Sequence, residues 1–488
     1  MPSHLVDLLP ELQLKIIGEL LTDTLVDNKE VEGITKEEEN DYNAPSLEEK
    51  KERKTRERKQ DRILDLRNWS CTSHSCRNLL APYIFKTVFL CNNEKSGSSA
   101  TAISKSNLNE LVKELIYVGS APGDAHREEK AYSDTAPILP ESVDTLLSDL
   151  GIFPNLETLS IEFPYHFADA KEWDEGLDLC EEEEQPDADV ETAEETIAWR
   201  ALMAKTYQAL SRNKMTHLKA LEIRQLVPKM VSTFNDPSFH EFLGQIERFS
   251  LSIYGEDNGA GWQINKVPQY CTIMSKLDGY FFDHLNSVTD LILKAPEEGP
   301  LGLDGMNHIP LPLKKDHMPS LKSIYLEYIF LGPDLLDFLT GHTKTLESIT
   351  MRKCFGSPSE NTIADNGIHW SDFLDSLHNA KFQSLRRFDI VPDPTPLVDG
   401  EFEDDKEDDD EDELPDEVKE AREILANDGN RRVFAYASLD DKYGEVYEDD
   451  EENLARFQSG EDQASYEKLM GQIKANAAKE SGKRVEVR

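Results

Sequence analysis

The stretch SLKSIYL, residues 320–326, places aliphatic side chains at Leu321, Ile324 and Leu326 with polar or mixed residues between them. In an extended chain, side chains two apart share a side, so Ile324 and Leu326 face one way while Ser323 and Tyr325 face the other. The same phrase recurs as NLETLSI (155–161), HLKALEI (217–223), SVTDLIL (287–293), TLESITM (345–351) and SLRRFDI (384–390). Weaker copies are LVKELIY (111–117) and QIERFSL (245–251). With 38% apolar residues, three specified apolar positions coincide by chance in roughly 5% of windows, so the ensemble carries the signal and no single copy does.

Helix-like stretches separate the copies. ESVDTLLSDLGIFP precedes the first clear copy, KLDGYFFDHL precedes SVTDLIL, PDLLDFLTGHTK precedes TLESITM, and WSDFLDSLHNAKF precedes the last. Helix and strand therefore alternate, which predicts an α/β chain with parallel strands. The spacing between copies is uneven. A regular solenoid is excluded, but leucine-rich repeats with insertions accommodate such spacing. Residues 91–398 are expected to form this irregular solenoid, with strands on its concave face, helices outside and an acidic insertion at 168–196. The polar positions Glu157, Lys219, Glu222, Thr289, Lys322, Tyr325, Glu327, Glu347, Thr350 and Arg386 are expected to line the concave face.

Working outward, residues 5–21 (LVDLLPELQLKIIGELL) form a strong short helix signal. Leu12, Ile16 and Leu20 repeat every four residues, and Ile17 and Leu21 widen the stripe. Residues 22–61 lose all apolar periodicity; EKKERKTRERKQDR (49–62) mixes charges as a solvated segment does. Apolar residues return at 63–90, where Ile63 to Trp69 suggest one short helix and Cys76 to Leu80 a second, stopped by Pro82. KTVFL (86–90) reads as a strand leading away.

The formal net charge is −43, from 96 acids and 53 Lys or Arg. Residues 168–196 hold 14 acids and one base, and residues 400–488 hold 29 acids and 13 bases, so these segments carry −29 of the total. Such acidity argues against phosphate backbones and anionic lipid as partners. The start is expected to be no secretory signal, and no apolar run is long enough to span a bilayer. Six cysteines without framework spacing fit a reducing compartment, cytoplasmic and/or nuclear. Phosphate-loop, GxGxxG, CxxC, HExxH and GxSxG patterns do not occur. Cys71, His74 and Cys76 lack a fourth ligand at zinc spacing, so neither a metal nor any other cofactor is expected. Residues 399–488 are expected to form an acidic, partly disordered C-terminal region, in which RRVFAYASLD is strand-like and YEKLMGQIKANAAK helix-like.

LLPELQLKIIGELL, a gap, and then DLRNWSCTSHSCRNLLAPYIFKTVFL resemble the F-box, and the whole chain looks like a fungal F-box protein with leucine-rich repeats. Leu9, Pro10 and Glu11 match the family's opening, the Ile16/Ile17 and Leu20/Leu21 pairs its first helix. Ser70, Cys71, Arg77, Leu79, Ala81, Pro82 and Tyr83 match its later half. The Leu-Pro pair sits one residue closer to Glu-Leu than usual, so Leu8 and Leu9 are both candidates for the anchoring leucine. The 22–61 insertion replaces a short turn. The resemblance implies an N-terminal helical F-box domain over residues 1–90, docking a Skp-type adaptor and through it the cullin scaffold by Leu8, Leu9, Pro10, Leu12, Ile16, Ile17 and Leu20. It further implies a substrate-recognition subunit of a ubiquitin ligase, without its own active site, whose repeats hold an unknown protein substrate for ubiquitin-dependent degradation. An alternative from the charge pattern is a repeat scaffold binding basic partner proteins through its acidic segments.

Overall fold

The computed structural model describes residues 66–120, 138–164, 190–196, 198–214, 217–257, 260–303, 309–357, 367–392, 397 and 415–486. Among these, nine strands form one parallel sheet in sequence order: β1 (Thr87–Cys91), β2 (Glu114–Val118), β3 (Thr158–Glu162), β4 (Ala220–Leu226), β5 (Arg248–Ile253), β6 (Asp290–Lys294), β7 (Ser323–Glu327), β8 (Ser348–Arg352) and β9 (Arg387–Ile390). Every copy of the recurrent phrase, including the two weaker ones, contributes a strand, and KTVFL contributes the first. The chain is α/β.

Helix α1 (His74–Ile84) precedes β1, and the crossovers hold α2 (Glu94–Ser104), α3 (Glu141–Ser148), α4 (Val190–Thr196), α5 (Ala198–Ser211), α6 (Pro237–Leu243), α7 (Pro268–Met274), α8 (Leu277–Tyr280), α9 (Pro333–Gly341) and α10 (Trp370–Ala380). The four helix-like stretches of the sequence fall on α3, α8, α9 and α10. Leu159 and Ile161 of β3, Leu221 and Ile223 of β4, and their equivalents through Ile349 and Met351 of β8 join helix residues such as Leu146, Leu202, Phe242 and Phe338 in one core. Helices therefore cover one face of the sheet. Across the crossovers between β3 and β6, aromatic rings fill the layer: Tyr207, Phe234, Phe239 and Phe281 pack with centroids 5.0–6.3 Å apart. The buried Asn213 ties neighbouring units, donating to Leu147 O and accepting from Leu150 N–H.

One register position explains how the strands stay aligned. The carbonyl of Lys113 accepts the N–H groups of Glu157 and Thr158; Glu157 does the same for Lys219 and Ala220, and Lys219 for Glu247 and Arg248. Thr289, Lys322, Glu347 and Arg386 continue the pattern, each one residue before its strand. The side chains at this position run Lys, Glu, Lys, Glu, Thr, Lys, Glu, Arg. Neighbours of opposite charge, such as Arg386 and Glu347 at 3.1 Å, add little stability each but oppose a slipped register.

A second position turns the chain. Gln225, Tyr328 and Lys353 lie four residues beyond Leu221, Ile324 and Ile349, which occupy matching places in their strands, and all three have left-handed backbones (φ 49°, 53° and 45°). After Tyr328 and Lys353 the chain enters a second, short parallel ladder, Leu301–Ile329 and Phe330–Phe355, which Gly356–Tyr436 extends into the C-terminal region.

That region contains α11 (Asp416–Asn427), a hairpin of β10 (Ala437–Leu439) and β11 (Val446–Glu448), α12 (Asp450–Ser459) and α13 (Glu461–Glu486). It covers the last strand. Tyr466, Leu469 and Ile473 of α13 join the main core, Asn476 donates to Phe382 O and Leu385 O, and Arg432 donates to Ile390 O at 3.0 Å. An exposed sheet edge invites pairing with other chains; here side chains occupy part of it.

One expectation changes. Pro82 does not stop α1, which runs on to Ile84. A proline missing one N–H near the last turn removes a single hydrogen bond, and Phe85 N–H still reaches Ala81 O. Part of the acidic insertion is helical: α4 buries Val190, and the Glu194 carboxylate accepts from Ser232 N–H and Oγ. The 22–61 segment, residues 168–189 and residues 399–414 lie outside the described residues. Among the described residues no helix is long and apolar enough to cross a membrane.

Candidate functional site

The open face of the sheet presents registered rows. The middle row reads Ile116, Ser160, Glu222, Ser250, Ile292, Tyr325, Thr350, Asp389. Ile292 is 38% exposed, an apolar spot flanked by Tyr325. The row nearest the strand ends carries paired charge. Ser160 and Arg224 both donate to Glu222, while Lys294, Glu327 and Arg352 occupy consecutive strands.

Glu327 is 4% exposed and is held on three sides. Arg352 lies 2.6 Å away, Lys294 3.5 Å, and Tyr325 Oη donates at 2.9 Å. Burial, then the Glu327 charge, push the Tyr325 phenol well above its ordinary value, so Tyr325 remains a donor at physiological pH. Buried acids persist where cations and donors surround them. The pair draws the Arg352 guanidinium toward β7, and the same residue lines the space at the ends of β8 and β9.

There the sheet and the C-terminal region enclose a cavity of about 720 Å³. Arg352, Lys353, Arg422, Arg431 and Arg432 line it together with one acid, Glu448. Leu397, Leu425, Val433 and Val391 supply apolar wall. Lys353 pairs with Glu448 at 3.0 Å. Arg431 donates to Phe457 O and lies over the Phe457 ring, and Arg432 lies over Tyr466. Cys354 also lines the cavity, and burial pushes its thiol up to about 12. A protonated thiol is a poor nucleophile. The cavity can hold an anion by charge and hydrogen bonds.

Behind it, Asp462 anchors the cap. Its carboxylate accepts from Tyr436 Oη at 3.0 Å and from Ser371 N–H at 2.8 Å. Burial raises the Asp462 carboxyl above its ordinary value, while Tyr436 and Arg456 oppose the rise. A carboxyl with a raised folded-state pKa binds its proton more readily folded than unfolded. Its contribution is therefore greatest at low pH and is lost as pH rises through the folded value. Asp462→Asn keeps the shape and removes that dependence. The stability of the natural chain relative to this variant should grow as pH falls from about 7 to about 4. Urea midpoints of both proteins across that range test this, and a difference that stays flat or shrinks would refute it.

Leu8, Leu9, Pro10, Leu12, Ile16, Ile17 and Leu20 lie outside the described residues. The matched residues of the later half lie on or beside α1, where Leu80 and Ile84 bury against Leu66 in a small separate cluster. Cys76 is buried while Cys71 and His74 are exposed. Of the expected face residues, Glu222, Tyr325 and Thr350 stand in the middle row and Glu327 in the row of paired charge. Glu157, Lys219, Thr289, Lys322, Glu347 and Arg386 form the ladder before the strands. Sequence reasoning missed the cavity cations. Arg352 and Lys353 follow a recognised strand phrase, and Arg431 and Arg432 open a strand-like stretch, but nothing local joins them. Among the described residues no group of three metal-ligating side chains comes together. No family model matches the sequence, and no curated protein matches it.

Proposed function

We propose that this chain is a non-catalytic substrate-recognition subunit of an SCF-type ubiquitin ligase. On this reading residues 1–90 form an F-box that docks a Skp-type adaptor, and residues 91–398 form an irregular leucine-rich-repeat solenoid. One observation carries the repeat half: among the described residues, nine parallel strands follow one another in sequence order, each paired with its neighbours, at one shared register. Such an array has no fold-wide switch point for a small substrate; it offers a broad face of side chains instead. Ile292 and Tyr325, ringed by Glu222, Lys294 and Arg352, supply the apolar centre and charged rim of a protein contact. The subunit acts by proximity, holding a protein substrate near an enzyme carried by the scaffold and raising its effective concentration.

The adaptor half rests on the F-box resemblance. Full-length chain is expected to recover a Skp-type adaptor in a pull-down, and Leu9→Asp, Pro10→Asp and Ile16→Asp together should abolish recovery. Undiminished binding by this triple variant would refute adaptor docking through these residues.

A further inference from the structure

We propose that the cavity at the ends of β8 and β9 is a recognition site for an acidic peptide segment with interspersed apolar residues. A chain of net charge −43 here lines a cavity with five cations, Arg352, Lys353, Arg422, Arg431 and Arg432, and one acid, Glu448; Arg352 pairs with Glu327 behind the wall and Lys353 with Glu448. The concentration of positive charge opposes the trend of the whole molecule. The guanidinium of Arg432 is fixed at the cavity wall by its donation to Ile390 O and by lying over the Tyr466 ring.

Size and lining choose among anions. About 720 Å³ falls within the roughly 300–1,000 Å³ of ligand sites and far exceeds what one inorganic anion fills. Leu397, Leu425 and Val433 interleave apolar wall with the cations, which matches an extended segment presenting carboxylates to one side and aliphatic groups to the other. Extended polyanions fit poorly. A nucleic acid or anionic membrane would meet the acidic body as well as the cavity, whereas a short segment feels mainly charges within a Debye length of about 8 Å at physiological salt. The proposal deepens the partner-binding reading, and its test contains no adaptor, so failure of either leaves the other standing.

The test is fluorescence anisotropy with a fluorescein-labelled peptide of alternating glutamate and leucine, at about 150 mM salt. Residues 401–413 hold eleven acids and one lysine between two wall residues, Leu397 and Arg422. The assay is therefore run on the full chain and on a chain with 401–413 replaced by a Gly–Ser linker of equal length. Saturable binding to either is the expected result. Lys353→Glu with Arg422→Glu should weaken it at least about tenfold, and Arg422→Lys should preserve it. If the double variant shifts the urea midpoint, Leu425→Asp, on the half-exposed side of α11, replaces it and should weaken binding likewise. Binding to neither chain, equal binding of a lysine–leucine peptide, displacement by equimolar inorganic phosphate, or undiminished binding by a folded variant would each overturn the proposal.

Discussion

Trp370→Ala is expected to destabilise the protein by about 4 kcal/mol, in the range for truncating a buried large aromatic. Trp370 opens α10 and is 1% exposed. Its ring meets Phe373 edge-on at 6.0 Å and Phe434 at 5.5 Å, and Nε1 donates to Ala435 O at 2.8 Å. That carbonyl also accepts Gly356 N–H, so it retains a partner in the variant, and the cost is mainly the cavity left between the last repeat and the C-terminal region. Phe434, which rests on the ring and meets Tyr466 at 5.9 Å, loses that surface. Chemical unfolding measures the loss. Limited proteolysis should show residues 415–486 becoming cleavable before the sheet does, because the damage lies at their junction. A loss below about 1 kcal/mol would mean that the cap does not depend on this ring.

Gly302→Ala should cost about 3 kcal/mol, through the backbone and not through packing. Gly302 has φ +128°, a region that side chains other than hydrogen avoid. A Cβ there would stand 2.3 Å from the carbonyl oxygen of Phe330. The approach is reciprocal, since a Cβ on Gly332 would stand 2.5 Å from the carbonyl oxygen of Gly302. Two glycines thus let adjacent turns of the second ladder close, where Phe330 N–H bonds Leu301 O at 2.8 Å. The control has the opposite sign. Gly471 lies on the exposed side of α13, and a Cβ there would meet nothing within 4 Å, so Gly471→Ala should stabilise by about 0.5–1 kcal/mol. Equal effects at the two sites, read from urea midpoints, would refute the close-approach account.

Much of the fold is legible in the amino-acid order because its repeating unit is short. Leu321, Ile324 and Leu326 lie within six residues, and a strand with one buried face needs no more than that alternation to declare itself. Helices α9 and α10 show equally well, since Leu335, Phe338 and Leu339, or Phe373, Leu374 and Leu377, recur at helical spacing on a buried side. Even LVKELIY and QIERFSL, weak alone, are strands β2 and β5, because their neighbours dictate the register they join. The extent of α1 is harder to read. Whether Pro82 ends a helix depends on how many residues follow it in the turn, and Tyr83 and Ile84 continue because Ile84 buries against Leu66 and Leu80.

The cavity is not legible, for a related reason. Arg352 and Arg432 lie 80 positions apart, and each sits in a stretch whose local pattern concerns strands. Glu327 reads as an exposed acid until Arg352 and Lys294 arrive on the neighbouring strands. The left-handed turns at Gln225, Tyr328 and Lys353 carry three unrelated side chains, so no residue type announces them. What the order of residues determines by itself is periodicity and the whereabouts of charge: helix alternating with strand, a sheet assembled in sequence order, and two segments that hold most of the negative charge. Those properties arise among residues a few positions apart. Five cations around one cavity, one buried acid orienting Arg352, and a cap seated on Trp370 depend on which surfaces meet, and contact between distant segments is settled by packing the assembled chain.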